Sequence, residues 1–362
     1  MTKKILCLLL ALTMIAGLGL VGCAKKTTVD VGIVLPTKDE PRWLQDQTQF
    51  ENILDDAGFT SEVMFSQKDS AVEKSNVDAL ISKGIKVLII CAQDATTAGS
   101  TVETAKEAGV TVICYDRLIT ETDAVDYYVT FDSISVGAAM GQYLLDNAEG
   151  TGNPLYLYAG AASDNNAFLF FEGAWKVLQP AIADGTFVIK NSSEAVAVQD
   201  TLELTRDQIA AIIGQVTTDW DFNAAKSKAE ANLTTATDAD KGDVFILAPN
   251  DGTARSIADT FAADPAVTSY FITGQDAEKA SVQYVIDGKQ SMTVFKDTRT
   301  LAADAVAMAV AVLGDKDVDT DASYNNGVMD VPSKQTAVVV VTADNWEAAL
   351  IDSGYYQASD FE

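Results

Sequence analysis

The clearest indication of the fold class of this chain is the segment Lys86-Val87-Leu88-Ile89-Ile90-Cys91. Four consecutive aliphatic residues, 87–90, leave neither face of a strand for solvent. A strand of this kind is buried on both faces, which happens when helices cover both sides of a parallel sheet. The same pattern recurs at Val244-Phe245-Ile246-Leu247. The two stretches therefore predict an α/β fold with doubly wound parallel sheets.

Short apolar runs alternate with longer helical patterns along most of the chain. Gly58, Gly84 and Gly109 each follow the end of such a helical pattern, where glycine commonly terminates a helix. An extra helix is predicted around Thr205 to Gly214, and 314–335 is predicted to be irregular surface chain. The predicted strands are 30–35, 60–65, 86–91, 110–114, 154–159, 186–190, 243–248, 269–274, 291–296 and 336–341.

The N-terminus predicts export and lipid attachment. Lys3 and Lys4 precede an apolar run that ends on Leu20-Val21-Gly22-Cys23. A small residue directly before a cysteine is typical of a lipoprotein signal, so 1–22 is predicted to be removed and Cys23 to carry lipid. Residues 23–28 would form a short tether. The run is short for a transmembrane anchor, which needs about 20 apolar residues.

Composition limits the remaining possibilities. The chain has 362 residues, of which 48% are hydrophobic, so two lobes are expected. Its formal net charge of -27 disfavours binding to nucleic acid or to anionic headgroups. We read this charge as a solubility feature and not as a functional one.

The absence of histidine narrows the chemistry further. No histidine occurs, which excludes Ser-His-Asp and Cys-His catalysis. Cys91 and Cys114 both close apolar runs and are expected to be buried. Buried free thiols are common, although a disulfide between neighbouring strands is an open alternative.

The acidic segment 315–321 resembles the start of a calcium loop. It fails as one because Thr320 replaces the sixth-position glycine and Asn326 the twelfth-position glutamate. A solvated acidic loop is therefore predicted, with no metal site. No phosphate-binding loop, nucleophile elbow or zinc spacing occurs either.

Polar residues follow six predicted strands, from both halves of the chain. Ligands of open parallel sheets bind outside the carboxyl ends of the strands, so these residues are candidates for one site. Each Asp or Asn could instead be a helix cap, and Asp251 is expected to be one. The candidates are Arg42 and Trp43, Asp116 and Arg117, Asp164 to Asn166, Asn250 and Asp251, Gln275 and Asp276, and Lys296.

This set of side chains suits a neutral polyol. A sugar hydroxyl both donates and accepts hydrogen bonds, and carboxylate, amide and guanidinium groups together satisfy it in both directions. The apolar C–H face of a sugar packs on a flat aromatic ring, for which Trp43 and Trp220 are candidates. Simple core packing is the alternative for either tryptophan.

Seven short motifs together resemble those of one known family. The chain resembles the type I periplasmic sugar-binding proteins of ABC importers, above all the D-xylose-binding and multiple-sugar-binding group. The likeness covers nearly all of the chain after Cys23. The motifs are Pro-Arg-Trp at 41–43, Tyr-Asp-Arg at 115–117, Asp-Asn-Asn-Ala at 164–167, Asn-Asp-Gly-Thr-Ala at 250–254, Gly-Gln-Asp-Ala at 274–277, Met-Thr-Val-Phe-Lys at 292–296 and Asn-Asn-Gly-Val-Met-Asp-Val-Pro-Ser at 325–333.

The resemblance implies a sugar site between two lobes. Trp220 would stack on the sugar ring and Trp43 would border the site, although the 191–219 segment before Trp220 looks longer than in the family. The implied sugar is an aldose such as xylose, glucose, galactose or arabinose. The residues implied to hold its hydroxyls are Arg42, Asp116, Arg117, Asp164, Asn166, Asn250, Asp276 and Lys296.

The resemblance also implies a domain plan and a set of partners. A three-strand hinge, with crossings near 132, 275 and 297, would join an N-terminal lobe of 29–132 plus 297–326 to a C-terminal lobe of 133–296 plus 327–362. The lobes would close on the sugar. The expected partners are a sugar, an ABC permease with its ATPase and, through lipid on Cys23, the membrane. The protein would be an exported, membrane-anchored monomer with no cofactor.

Three other functions are weighed against this one. A sensory protein would use the same pocket but present the sugar to a chemoreceptor or kinase. A repressor would need an N-terminal DNA-reading helix pair, where this chain has an export signal. A glycosidase needs two suitable carboxylates, but Asp116 and Asp276 have cationic or amide neighbours that favour their ionised forms.

Overall fold

The computed structural model describes residues 28–361 and places them in two lobes, each built around a parallel sheet. The expected signal and the lipid-bearing Cys23 lie outside the described residues. None of the helices within 28–361 is long and apolar enough to cross a bilayer.

The first lobe begins with alternating strands and helices. Its strands are near-continuously apolar because helices pack on both faces of the sheet, as the Val87–Ile90 stretch predicts. No helix lies between its fourth and fifth strands. The elements are β1 (Val31–Leu35), α1 (Pro41–Asp56), β2 (Ser61–Phe65), α2 (Ser70–Lys83), β3 (Val87–Ile90), α3 (Gly99–Glu107), β4 (Thr111–Tyr115) and β5 (Tyr127–Phe131).

The second lobe follows directly after β5. Its main sheet has the strand order β7-β6-β8-β9, with all neighbours parallel. The elements are α4 (Ser133–Asp146), β6 (Asn153–Leu157), α5 (Asn165–Ala183), β7 (Phe187–Ile189), α6 (Ser193–Ala197), α7 (Arg206–Val216), α8 (Phe222–Thr235), β8 (Gly242–Leu247), α9 (Asp251–Ala262), β9 (Val267–Ile272), α10 (Lys279–Ile286) and β10 (Thr293–Phe295).

The C-terminal part of the chain serves both lobes. α11 (Thr298–Leu313) packs in the core of the first lobe. β11 (Ala322–Asn325) and β12 (Asp330–Thr336) form an antiparallel hairpin that extends the first sheet, because β12 pairs in parallel with β5. β13 (Val339–Val341) then pairs with β10 in the second lobe. The first sheet has the order β11-β12-β5-β4-β3-β1-β2.

These pairings confirm the fold class and correct parts of the predicted domain plan. The border at 326 and 327 falls inside the β11–β12 hairpin, so residues up to Thr336 continue the first lobe. The chain crosses between lobes near residue 132, near 297 and between β12 and β13. The crossing expected near 275 is wrong, since Gln275 bridges to Val294 within the second lobe. The 314–335 segment contains this hairpin and is not simply irregular.

The structure also decides between the alternatives for the cysteines. Cys91 and Cys114 are buried free thiols. Cys91 packs in the core on one face of the first sheet and Cys114 in the core on the other face, so the two thiols point away from each other. The acidic segment 315–321 is partly neutralised by Lys334, which pairs with Asp319 at 2.8 Å and with Asp321 at 3.2 Å.

Candidate functional site

All ten residues predicted for the site line one cavity between the lobes. The cavity lies at the carboxyl ends of the strands of both sheets, where the topology of parallel sheets places ligands. Three further residues line it: Glu40, Phe170 and Gln275. The ten predicted residues are Arg42, Trp43, Asp116, Arg117, Asp164, Asn166, Trp220, Asn250, Asp276 and Lys296.

Helix α1 delivers Arg42 and Trp43 from its first turn. Pro41 occupies the start of the helix, where its missing N–H is not needed. The Arg42 guanidinium lies over the Trp43 ring, 4.4 Å from its centre, and its Nη2 donates to Asp116 Oδ2 at 2.6 Å. Behind it, Arg42 Nε lies 3.5 Å from the buried Asp46 carboxylate. Trp43 is 2% exposed, so it forms part of the core as well as a wall of the site.

Asp116 and Arg117 follow β4 without an intervening turn. Asp116 has φ = 63°, a left-handed conformation that is uncommon for any residue other than glycine. Burial would raise the pKa of Asp116, but the nearby Arg42, Lys296 and Arg117 outweigh it and hold that pKa below its ordinary value. Arg117 Nη1 donates to the Ala92 carbonyl at 3.3 Å. Asp116 is therefore an ionised hydrogen-bond acceptor.

The start of α5 gives Asp164 two roles at once. As the N-cap, its Oδ1 accepts from Asn166 N at 2.9 Å. Its Oδ2 lies 3.0 Å from Arg117 Nε of the first lobe. Asn166 Nδ2 also reaches across, donating to the Asp116 carbonyl at 2.8 Å. Asp164 thus caps α5 with one oxygen and meets Arg117 in the cavity with the other.

Trp220 reaches the cavity from a loop between α7 and α8. It has φ = 55°, and its neighbour Asp219 has φ = 53°. The ring lies where a Cβ on Gly160 would be, 1.9 Å from the nearest ring atom, so only glycine fits there. The edge of the Phe170 ring packs against it at a centroid distance of 6.3 Å. The predicted helix before Trp220 is present as α7, and α6 precedes it.

Asp276 and Lys296 form a third ion pair in the cavity, after Arg42 with Asp116 and Arg117 with Asp164. Lys296 Nζ lies 2.7 Å from Asp276 Oδ1, and Arg42 Nη1 of the first lobe approaches the same oxygen at 3.7 Å. Asp276 and Ala277 have φ values of 100° and 50°, so this turn is left-handed over two residues.

Asn250, and not Asp251, caps α9. Asn250 Oδ1 accepts from Thr253 Oγ1 at 2.6 Å and from Thr253 N at 3.3 Å, which leaves its Nδ2 for the cavity. Asp251 is instead fully buried behind the site. Its carboxylate accepts from Glu278 N at 2.9 Å and from Gln290 Nε2 at 2.7 Å. The expectation that Asp251 is the cap was therefore one position off.

The charges of the ten residues balance inside the cavity. Three cations face three carboxylates in pairs: Arg42 with Asp116, Arg117 with Asp164 and Lys296 with Asp276. Such pairs keep strong donors and acceptors fixed in a buried space without net charge. Trp43 and Trp220 supply apolar surface beside them. The arrangement can hydrogen-bond an uncharged ligand with many hydroxyl groups on several sides.

Sequence reasoning missed Glu40 and Phe170, and it named Gln275 as a candidate after its strand without including it in the ten predicted residues. Glu40 directly precedes the Pro41-Arg42-Trp43 motif, and Gln275 directly precedes Asp276. Phe170 lies four residues after Asn166 on α5, which places it on the same helix face. Adjacency to the selected residues was therefore the signal that could have found all three.

Comparison with known proteins gives a consistent result. Residues 31–317 match the periplasmic binding protein domain family. The chain is 34% identical over 342 residues to the multiple sugar-binding periplasmic protein of Azospirillum brasilense, covering 92% of this chain and 91% of that protein.

Two solved structures resemble the whole fold. The first, a carbohydrate transporter solute binding protein from Chloroflexus aurantiacus in complex with D-glucose, is 72% identical with a TM-score of 0.91 and covers 92% of this chain and 98% of that one. An ABC transporter solute binding protein from Clostridium phytofermentans with bound β-D-glucose is 34% identical with a TM-score of 0.80, covering 91% and 99%. The resemblance read from the motifs is confirmed, and the chain belongs to the periplasmic binding protein family.

Proposed function

We propose that this protein is the lipid-anchored, sugar-binding component of an ABC importer and that it closes its two lobes on a single aldose in the pyranose form. D-Glucose is the first candidate, with galactose, xylose and arabinose as related possibilities. The protein performs no chemistry on the sugar. It captures the sugar outside the membrane and presents it, in the closed form, to a permease.

One observation carries this proposal: ten polar and aromatic side chains from both lobes surround a single cavity, and the three cations among them pair with three carboxylates. Hydroxyl groups need donors and acceptors in comparable number, and the three ion pairs supply both. A charged substrate such as a phosphate would instead need an excess of one sign. The relatives described above, which bind sugars, support the same class of ligand, and the 72% identical protein supports D-glucose in particular.

The surroundings of Asp116 and Asp276 support binding over catalysis by these two carboxylates. A glycosidase needs one carboxylic acid that stays protonated to donate to the leaving group. Asp116 is poorly suited to that role, since Arg42, Lys296 and Arg117 lower its pKa in spite of its burial. Asp276 is within 2.7 Å of the Lys296 ammonium.

Closing of the lobes depends on contacts that cross between them. Arg117 meets Asp164 at 3.0 Å, Arg42 meets Asp276 at 3.7 Å, and Asn166 donates to the Asp116 carbonyl at 2.8 Å. A sugar touching both sets of residues adds further cross-lobe hydrogen bonds and shifts the equilibrium toward the closed form. Sugar binding therefore produces the closed form of the protein that the permease recognises.

Calorimetric titration with a panel of pentoses and hexoses tests the sugar site. We expect D-glucose to bind the wild-type protein and to raise its melting temperature. Asp276→Asn should weaken binding by about 100-fold, since it removes a charge that Lys296 and Arg42 share. Asp317→Asn, an exposed aspartate in the acidic loop, is the matched control and should bind like the wild type. If no aldose in the panel binds, the proposed function is wrong.

The lipid anchor and the partners need separate tests. Cys23→Ser should move the protein from the membrane fraction to the soluble fraction, whereas Cys7→Ser, in the same leader, should not.

Co-purification with a permease supports import, and co-purification with a chemoreceptor or sensor kinase supports the sensory alternative. Size-exclusion chromatography of the sugar-bound protein tests the expected monomer.

A further inference from the structure

Glu40 differs from every other carboxylate that lines the cavity. Asp116, Asp164 and Asp276 each have a cation within 3.0 Å. The Glu40 carboxylate lines the same cavity but makes no hydrogen bond or ion pair with any residue in 28–361. Although Glu40 is the residue before α1, its side chain does not cap the helix. When Glu40 is ionised, the cavity therefore holds one negative charge that no ion pair neutralises.

An unpaired carboxylate in such a place is unfavourable unless a ligand satisfies it. The Glu40 side chain is half-buried in the cavity, so it loses part of its hydration, and no hydrogen bond or ion pair from residues 28–361 replaces what is lost. Burial raises the pKa of Glu40 to about 7. Arg117 and Arg42 oppose this rise and Asp276 and Glu278 add to it, and Glu278 is itself paired with Arg255 at 2.8 Å. A ligand that brings a donor, above all a cationic one, would relieve this cost.

We propose that the site accepts aldoses bearing a protonated amino group and that the Glu40 carboxylate binds the ammonium. The inference rests on the proposed function and narrows its ligand class. With Glu40 ionised, the lining side chains carry three positive and four negative charges, so a singly positive sugar completes the balance. An ammonium has three donors and no acceptor, which matches a carboxylate with no other partner. A sugar carboxylate would instead meet repulsion.

Isothermal titration calorimetry on the full chain purified in detergent tests the inference. The probes are D-glucose, 2-amino-2-deoxy-D-glucose, 3-amino-3-deoxy-D-glucose, 6-amino-6-deoxy-D-glucose and D-glucuronate. We expect at least one amino sugar to bind the wild type. In Glu40→Gln, the affinity for that amino sugar should fall by about tenfold or more, and by a clearly larger factor than the affinity for D-glucose. Binding of D-glucuronate should strengthen.

Glu51→Gln is the matched control. Glu51 lies on α1, is exposed and accepts a hydrogen bond only from the neighbouring Gln47 among the described residues. This variant should bind every probe like the wild type.

The pH dependence of the wild type gives a second readout that needs no variant. Lowering the pH from about 8 to about 6 protonates Glu40, so affinity for 6-amino-6-deoxy-D-glucose, whose alkyl amine stays protonated, should fall by about threefold or more. Affinity for D-glucose should change less.

Two results separate this inference from the proposed function. If D-glucose binds but no amino sugar does, or if Glu40→Gln weakens amino sugars and glucose equally, the amino-sugar inference is wrong and sugar binding stands. If no sugar in the panel binds, sugar binding itself is wrong.

Discussion

The two lobes present their site residues by different means. In the first lobe, Arg42 and Trp43 project from the first turn of α1, and Asp116 is the one of the four predicted site residues there that has a left-handed backbone. In the second lobe, Trp220 and Asp276 lie on loops, and both belong to pairs of consecutive left-handed residues. Non-glycine residues in this conformation cost roughly 1–3 kcal/mol each, which surrounding contacts must offset.

The second lobe's half of the site is therefore more sensitive to substitution than the first lobe's half. Its tryptophan depends on a missing Cβ at Gly160, whereas Trp43 is fixed by its helix and by the core around it. Small substitutions near the second-lobe loops should therefore affect sugar binding far more than their size indicates. Substitutions of similar size on the regular elements should not.

The largest effect is expected for Gly160→Ala. The added methyl group would lie 1.9 Å from the Trp220 ring, so the ring must leave its position. Loss of a stacking tryptophan should weaken sugar binding by about 1,000-fold, measured by calorimetry. Gly214→Ala on α7, where a Cβ meets nothing within 4 Å, is the control and should bind normally. If Gly160→Ala and Gly214→Ala weaken sugar binding equally, the Trp220 loop is no more sensitive to substitution than helix α7.

A smaller effect is expected for Asp164→Asn, which breaks the Arg117 ion pair between the lobes but keeps a good capping residue. Leaving the buried Arg117 without its carboxylate should weaken sugar binding by about 100-fold and, in small-angle scattering, shift the sugar-bound protein toward a more open shape. Asp69→Asn at the N-cap of α2 changes the same residue type in an exposed cap. If both variants close on sugar like the wild type, this cross-lobe pair does not stabilise the closed form.

A third effect concerns the dependence of stability on pH, and it comes from Asp46, the buried carboxyl group behind Arg42. Burial raises the pKa of Asp46 to about 7, although Arg42 opposes the shift. The folded protein then keeps a proton that the unfolded chain releases near pH 4, so between about pH 4 and about pH 7 the free energy of unfolding falls as pH rises.

Asp46→Asn should flatten that part of the pH profile. We expect a difference on the order of 2 kcal/mol between urea unfolding at about pH 5 and at about pH 8 to shrink in this variant. Asp56→Asn, at the exposed end of the same helix, should keep the wild-type slope. An unchanged slope in Asp46→Asn would show that Asp46 is ionised throughout.

The smallest effect is expected for reducing agents. Cys91 and Cys114 are free thiols on opposite faces of the first sheet, so dithiothreitol should leave the melting temperature of the 28–361 region unchanged. Thiol titration of the unfolded, unreduced protein should find both reactive. A fall in melting temperature on reduction would mean that the two residues are bridged.

Sequence alone predicted the buried strands and the residues that follow them. Runs such as Val87–Ile90 are unambiguous because helices cover both of their faces, and parallel topology then places the following residues at one edge. β5 was missed because it follows β4 without a helix, against the expected alternation. β11 and β12 were missed because β11 is the exposed edge strand and β12 beside it is only partly buried, so neither needs an apolar run.

The sequence predicted which residues line the cavity better than it predicted their backbone conformations and contacts. No sequence pattern shows that Asp116, Trp220 or Asp276 has a left-handed backbone, since these are not glycines and long-range packing imposes the conformation. Nor could sequence show which oxygen of Asp164 caps α5 and which meets Arg117. Such assignments depend on how two distant segments meet, and local propensity carries no information about that.

The β11–β12 hairpin has a consequence for how the protein acquires its shape. Neither lobe is a continuous piece of chain: the first sheet is incomplete until residue 336 has joined it, and β10 has no partner strand until residue 341 is available. A ribosome or an export channel that releases the chain from its N-terminus therefore cannot release a finished lobe at any earlier stage. Truncation of the last thirty or so residues should therefore destabilise both lobes. Neither lobe can complete its folding until the end of the chain is available.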